Sequence, residues 1–223
     1  EFRRVLFRSS GQFMVAFNYY LMNYKDQLVL TGQINDVGNY TRTNVQKSFR
    51  EGLELELSWK NNESTPKFIA SANATLSRNK IEEFKEYTDD YDNGNQVMQV
   101  YQNTDIAFSP DIISWVGISW LPRRNLRLDL TGKYTGLQYL DNTSNKEKVL
   151  DPYFTQDFKI HWSPALKKFK GFELNFSVLN LTNQMYESNG YTYSYISGGE
   201  KVSENYYYPQ AGRNFLAGIS LKF

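Results

Sequence analysis

The last residues of the chain, 213–223, alternate between apolar positions and polar or small ones. Phe215, Ala217, Ile219, Leu221 and Phe223 share one parity, and the residues between them share the other. A period of two over this length predicts a β-strand with one apolar face.

The same alternation recurs upstream and predicts about eight strands in all. Turn residues separate the strands, and short and long connections follow one another in turn. Such a pattern is typical of the antiparallel meander of a transmembrane β-barrel, with short periplasmic turns and long outer loops. The seven upstream strands are predicted within 13–22, 52–59, 68–77, 116–120, 126–133, 157–162 and 172–178.

Long polar stretches between these strands are predicted to be loops. They cover residues 25–47, 79–105, 141–151 and 187–210. Because barrel loops on the outer side are long and polar, these stretches define the expected extracellular side.

The composition agrees with a membrane barrel. Aromatic residues make up 16% of the chain although its mean hydropathy is −0.59. No apolar run approaches the ~20 residues of a membrane helix, whereas barrel strands alternate lipid-facing and lumen-facing residues. The formal net charge of +1 gives no electrostatic argument for nucleic acid as a partner.

Large aromatic residues mark one end of alternate predicted strands. Trp59, Trp120 and Trp162 each lie just before a short turn, and Phe223 ends the last strand. Aromatic girdles occupy the membrane interfaces of barrels, so these four residues are predicted to form one. A soluble β-sandwich or small barrel would also alternate, with its apolar parity as the core, but would not need this placement.

Catalytic chemistry has little support in the sequence. There is no cysteine and one histidine, His161, which is predicted to face the lumen. Zinc catalysis would need more ligands, and no nucleophile elbow or phosphate loop is present. We therefore expect no enzymatic activity and no cofactor.

Two loop segments are candidate binding sites. Asp89, Asp90 and Asp92 place oxygen ligands near a glycine turn, which could hold Ca²⁺, although Tyr91 and Val100 break the EF-hand pattern. Solvated loop is the alternative. The second segment is tyrosine-rich and could face a ligand or partner protein, or belong to the outer aromatic girdle; its tyrosines are Tyr191, Tyr193, Tyr195, Tyr206, Tyr207 and Tyr208.

The carboxy-terminal region resembles that of a TonB-dependent outer-membrane receptor of the Bacteroides type. The resemblance is carried by a terminal strand ending in Phe and by the segments 178–187 and 204–216, with further similar stretches at 23–38, 41–44 and 139–145. It implies that residues 11–223 are the carboxy-terminal third of a barrel of about 22 strands. The amino-terminal plug and the segment that engages TonB would lie outside this sequence.

The resemblance also implies a function and partners. The intact receptor would use TonB to import a large scarce nutrient, with a ferric siderophore or cobalamin favoured over a glycan. It would lie in the outer membrane of a Gram-negative cell, in contact with lipid, and a surface lipoprotein is a possible partner. The terminal strand 213–223 would be read by the barrel-assembly machinery.

The first ten residues do not match this pattern. Residues 1–10 are expected to be a non-native or disordered leader, with a genuine basic periplasmic turn as the alternative. Another possibility is that the chain is a complete eight-stranded barrel with a structural, adhesive or binding role. A soluble lipocalin-like binder is a third.

Overall fold

The computed structural model describes residues 2–10, 12–35, 37–62, 64–166 and 168–223, with only the backbone described for 2–10. The described chain is all-β, as predicted. Its strands are β1 (Phe2–Ser10), β2 (Phe13–Ile34), β3 (Tyr40–Lys60), β4 (Phe68–Asp90), β5 (Asn95–Asp105), β6 (Ile112–Arg123), β7 (Leu126–Thr135), β8 (Gln138–Tyr139), β9 (Val149–Leu150), β10 (Tyr153–Trp162), β11 (Gly171–Leu179), β12 (Glu187–Ser197), β13 (Glu200–Pro209) and β14 (Asn214–Lys222).

Nine of these strands form a continuous antiparallel wall. Their order is β1-β2-β3-β4-β6-β7-β10-β11-β14, so each strand pairs with the next strand of the wall along the chain. All eight predicted strands are present in it. Among the described strands β1 and β14 pair only with their inner neighbours, so the wall is an open arc and not a closed barrel. The described residues contain no helix long and apolar enough to cross a bilayer.

One face of the wall is apolar and exposed. Cross-strand partners on this face match apolar to apolar, as in Leu55 opposite Ala74 and Ile118 opposite Leu130. Leu55 is 38% exposed and Ile118 is 51% exposed. A soluble sandwich would bury this parity as its core, whereas an exposed apolar parity is the arrangement of a membrane barrel, in which that side faces lipid.

The opposite face is polar, as expected for a lumen. Ser119 and Arg127 both bond to Asp129, with Arg127 Nε 2.8 Å from Asp129 Oδ1. His161 Nδ1 lies 2.6 Å from the side-chain oxygen of Asn175, its cross-strand partner. Charged and amide side chains therefore pair across neighbouring strands on the concave side of the wall.

The strands are longer than the sequence pattern predicted. Residues 25–47 and 79–105 were expected to be loops, but they extend β2, β3 and β4 and form β5. The 22 residues of β2 span about 70 Å, whereas a tilted membrane strand needs only about 9–11 residues. The loop prediction was wrong because backbone pairing needs no apolar side chains once a hairpin has left the bilayer.

The tyrosine-rich segment was likewise expected to be a loop and is instead the hairpin β12–β13. At the other end of the chain, residues 2–10 form β1 and pair with β2. The expectation that residues 1–10 are a non-native or disordered leader stays a prediction.

Two glycines on the lumen face allow aromatic rings to lie flat on the wall. A Cβ at Gly52 would lie 2.7 Å from the hydroxyl oxygen of Tyr20, and one at Gly117 would lie 2.4 Å from the Trp115 ring. Any larger residue would displace these rings, so both positions require glycine.

Candidate functional site

Two long connections fold over the polar, concave face of the wall, at the ends of the strands opposite the short turns. They are the connection between β7 and β10 and the hairpin β12–β13, and we call them together the cap. The connection between β7 and β10, which contains β8 and β9, packs against β2 and the β5–β6 connection: Asn142 Nδ2 donates to the Leu30 carbonyl, and its Oδ1 accepts from the Ala107 N–H at 2.8 Å. A small apolar core supports this region and consists of Val29, Val45, Ile81, Phe84 and Ile106.

The β12–β13 hairpin crosses the arc of the wall. It leaves the sheet between β11 and β14, yet the end of β12 pairs in parallel with the end of β4, at Tyr195–Asp89 and Ile196–Asp90. Because β6, β7 and β10 lie between β4 and β11 in the wall, the hairpin spans the concave side above them.

A buried cluster of charged residues anchors the hairpin. Lys148 is 1% exposed, and its Nζ lies 2.8 Å from Asp141 Oδ2 and 3.5 Å from Glu86 Oε1. The same Nζ donates to Ser194 Oγ of β12 at 2.8 Å, and Lys201 Nζ of β13 lies 2.7 Å from Glu86 Oε2. The cluster therefore joins the β7–β10 connection, β4 and both strands of the hairpin.

Its charges are mutually compensated. Burial by itself raises the pKa of the Glu86 carboxyl, but the hydrogen bond from Lys201, the charge of Lys148 and the hydrogen bond from Tyr101 outweigh it. The pKa of Glu86 thus lies below its ordinary value, and that carboxylate stays ionised. Burial and the Glu86 carboxylate raise the pKa of the Tyr101 hydroxyl, which stays protonated and donates.

Five of the six predicted tyrosines lie on one face of the hairpin, which we call the tyrosine face. Tyr191 stacks on its cross-strand partner Tyr206 with ring centroids 4.8 Å apart, and Tyr208 lies 6.1 Å from Tyr191. Tyr193 and Tyr195 continue the row at 5.7 Å. The alternate residues of β12 point into the cap, so the hairpin has an aromatic face and a buried polar face.

The remaining predicted tyrosine, Tyr207, is opposite Gly190 and has the other parity. Tyr206, Tyr207 and Tyr208 are each between 43% and 45% exposed and are therefore available to a ligand or partner.

Glu204 lies within the tyrosine face. Its carboxylate accepts hydrogen bonds from Tyr195 Oη at 3.2 Å and from Tyr206 Oη. These bonds raise the pKa of both tyrosines. The hydrogen bond between Tyr91 and Tyr193 raises the pKa of Tyr193 to about 12. Tyr193, Tyr195 and Tyr206 are therefore protonated at neutral pH, so the face presents neutral rings around one carboxylate.

The three aspartates of the calcium hypothesis have different partners. Asp89 Oδ1 accepts from Gln96 at 2.8 Å, and Asp90 Oδ2 accepts from the Asn93 amide at 2.8 Å, which is the main cause of a lowered pKa at Asp90. Asp92 reaches across to β12–β13. Among the described residues no group of three or more His, Cys, Asp or Glu side chains could hold a metal ion. The calcium site stays a prediction without geometric support.

The register of the wall relates the three predicted girdle tryptophans. Residues that pair directly across neighbouring strands form a row. Trp59 is in the same row as Ile118, two strands away, and Trp120 is two residues beyond Ile118 on the same strand. Trp120 is in turn in the same row as Ile160, after two further strands. Trp162 is again two residues further on. This step of about 6.6 Å along the strands for every 9.6 Å or so across them corresponds to a tilt of about 35°. Outer-membrane barrels tilt by about 35–45°, so one membrane plane can contain all three indoles.

The fourth predicted girdle residue, Phe223, does not lie at the position to which the step between the three tryptophans leads. The row of Trp162 continues through Leu174 to Ile219, so the same step leads to Leu221. Phe223 is two residues further toward the rim, where its ring packs 5.4 Å from that of Phe169.

Sequence reasoning did not find the ion cluster. Lys148, Glu86, Asp141 and Lys201 are scattered over polar stretches and have no shared spacing. Their burial depends on contacts between residues as much as 115 positions apart, as in Lys201–Glu86. No local signal could have identified them.

The comparisons with known proteins agree with this architecture. The family model described as TonB dependent receptor-like, beta-barrel matches residues 2–181. No curated protein sequence matches the chain significantly.

Solved structures with a similar fold include a siderophore receptor and two transporters. The siderophore receptor PiuA from Acinetobacter baumannii has a TM-score of 0.64 at 18% identity over 93% of this chain and 26% of its own. The ferric citrate transporter FecA in its unliganded form has a TM-score of 0.65 at 17% identity, over 99% and 30% respectively. The copper transporter OprC has a TM-score of 0.64 at 15% identity, over 99% and 31%. The chain thus spans about a quarter to a third of the length of these proteins.

Two observations lead to one assignment. The family model matches most of the chain, and the open antiparallel wall has an apolar outer face and a polar concave face. The chain belongs to the TonB-dependent receptor-like β-barrel family, whose members are outer-membrane receptors and transporters of Gram-negative bacteria, not enzymes.

Proposed function

We propose that this chain forms part of the barrel wall and the outer cap of a TonB-dependent receptor that imports a large scarce nutrient. A ferric siderophore is the favoured cargo, with cobalamin as a further candidate. The observation that carries this proposal is the cap, which joins an exposed tyrosine face to the concave side of a lipid-facing wall.

Each part has a distinct task in this mechanism. The tyrosine face contacts cargo on the outside. The polar concave face, including Glu54, Arg127 and Lys159, borders the plug and the path of the cargo. TonB would act on the plug, which belongs to the rest of the receptor, so no covalent chemistry is required of this chain.

The wall is proposed to continue on both sides into a larger barrel of about 22 strands. Its edges, β1 and β14, each have one unpaired side among the described strands, which suits closure by strands from the rest of the receptor. β14 carries the apolar terminal pattern at 213–223, which we propose is the signal for the barrel-assembly machinery.

Outer-membrane lipid covers the apolar face, and a surface lipoprotein is a possible partner of the cap. The Bacteroides-type origin of the sequence stays part of this proposal.

A complete small barrel is the alternative. It would require β2, the first of its eight strands, to pair with β14, whereas in the described wall β2 pairs with β1 and β3. Sequencing the gene upstream of this chain decides between the two: further alternating strands preceded by a plug support the receptor, whereas a signal peptide directly before residue 11 supports the small barrel.

The transport function is tested with the complete receptor. Cells that lack it and cells that express it are compared for uptake of radioactive iron supplied as a set of ferric siderophores, with and without an uncoupler of the proton gradient. We expect receptor-dependent uptake that the uncoupler abolishes. Uptake that persists without the gradient would contradict the proposal.

The tyrosine face is tested in the same assay. Tyr206→Ala removes an exposed ring from the stack with Tyr191, whereas Tyr207→Ala removes an equally exposed ring of the opposite parity. We expect Tyr206→Ala to raise the half-saturating cargo concentration about fivefold, since stacking contributes on the order of 1 kcal/mol. Equal effects of the two variants would show that the tyrosine face does not select cargo.

A further inference from the structure

The free end of the β12–β13 hairpin is attached to the turn after β4 by one carboxylate. Asp92 Oδ1 accepts a hydrogen bond from the Gly198 N–H at 3.0 Å, and Asp92 Oδ2 accepts one from the Gly199 N–H at 2.8 Å. Gly198 and Gly199 have φ values of 64° and 78°, a conformation that favours glycine. Successive N–H groups in such a turn form a small anion-binding nest.

The tip of the hairpin, residues 195–200, has few other contacts, and one of them is the stacking of the Tyr91 ring on Tyr195 with ring centroids 5.3 Å apart. The parallel bridge between β12 and β4 covers two residue pairs, and the Tyr91 N–H donates to the Ile196 carbonyl at 3.0 Å. Asp92, Gly198 and Gly199 are all exposed, so water competes for their hydrogen bonds. The attachment can therefore break without exposing a core.

The part of the hairpin next to the tip is held differently. Thr192 and Ser194 of β12 are 2% and 3% exposed, and Ser194 is bonded to the buried Lys148. Lys201, directly after the tip, is bonded to Glu86 of β4. The hairpin is thus anchored by buried charges up to Ser194 and from Lys201 onward, whereas Asp92 attaches the exposed tip between them to the turn after β4.

We infer that Asp92 and the Gly198–Gly199 turn form a latch, and that release of the latch lets the tip of β12–β13 swing away from β4 to admit cargo. The latch is a property of this chain. Its role in admitting cargo rests on the proposed transport function.

Distance measurement tests the latch directly. The chain has no cysteine, so Met98→Cys and Ser197→Cys, both at exposed positions outside the latch, can carry spin labels in the complete receptor. Asp92→Asn keeps the shape of the side chain but removes the charge that strengthens both hydrogen bonds. We expect the ratio of open to latched distances to rise about tenfold.

Glu83→Gln is the matched control. Its carboxylate is on the same β4–β5 hairpin but bonds to Gln102 and Lys85 within that hairpin. We expect no change in the distances for this variant. An unchanged distribution in Asp92→Asn, or equal changes in both variants, would overturn the latch.

A reversible lock tests the role in transport. Asp89 and Tyr195 are partners in the parallel bridge, so Asp89→Cys with Tyr195→Cys places two thiols within disulfide reach. We expect oxidation to reduce siderophore uptake at least tenfold, reduction to restore it, and each single variant to be indifferent to oxidation.

A fully oxidised lock that transports like the reduced receptor would show that release is not needed. If the unmodified receptor takes up no siderophore, the transport function fails instead, and the spin-label distances still decide whether the latch exists.

Discussion

Lys148 Nζ lies 2.8 Å from Asp141 Oδ2 at a position where the lysine side chain is almost completely buried. A buried ion pair contributes little net stability, but removing one partner leaves an uncompensated charge. The pair thus makes the cap sensitive to single substitutions that change charge without changing shape.

Lys148→Met should loosen the cap by about 3–5 kcal/mol, because Asp141 would keep a buried charge without its lysine and Glu86 would keep only Lys201. Hydrogen exchange of the β7–β10 connection and of β12 measures this local stability. Lys146→Met, at an exposed position of the same connection, should leave exchange unchanged. Equal protection in the two variants would mean that the cluster does not hold the cap.

The cap should also loosen in acid. The folded-state pKa of Glu86 lies below its ordinary value of 4.5, so its ionisation stabilises the cap above that pH, and this contribution is lost as pH falls through the folded pKa. The groups that face this carboxylate are Lys201 of β13, Lys148 of the β7–β10 connection and Tyr101 of β5.

Proteolysis of the cap at pH values from 7 to about 3 by an acid-tolerant protease measures this effect. Glu86→Gln should give a cap that is less stable at neutral pH and whose remaining acid dependence is smaller. A variant profile parallel to that of the unmodified protein would assign the acid effect to other groups.

The two faces of the wall should respond oppositely to a new charge. Leu55→Arg places a cation on the lipid face and should cost about 2–4 kcal/mol, whereas Glu56→Arg, one residue along, places it on the lumen face and should cost much less. The fraction of complete receptor that reaches the heat-resistant folded form in the outer membrane measures the difference. Equal losses would contradict the assignment of faces.

The tryptophans should report their depth in the membrane. In receptors that retain one tryptophan of this chain, Trp59, Trp120 and Trp162 should each be quenched most by lipids brominated near the headgroups. Trp115 lies over Gly117 on the lumen face and should be quenched least. Different optimal depths for the first three would contradict a common girdle.

Local sequence was sufficient to predict the strands of the wall, because the alternation of apolar and polar side chains in a strand depends only on neighbouring residues. A residue such as Leu57 lies on the same side as Leu55 and opposite to Glu56 whatever the rest of the chain does, since strand side chains alternate. Alternation alone did not decide whether the apolar parity is exposed, since a soluble sandwich alternates as well; the placement of Trp59, Trp120 and Trp162 at strand ends favoured the membrane barrel.

Tertiary structure alone decided the length of the hairpins and the organisation of the cap. Polar residues 79–105 pair as strands because β4 and β5 satisfy each other's backbone groups, which leaves no apolar trace in the sequence. The contacts Lys201–Glu86 and Asp92–Gly199 join residues more than a hundred positions apart. The burial of Lys148 and the binding of Asp92 by the hairpin turn depend on the tertiary structure, because each charge is stabilised only by groups that folding brings close to it.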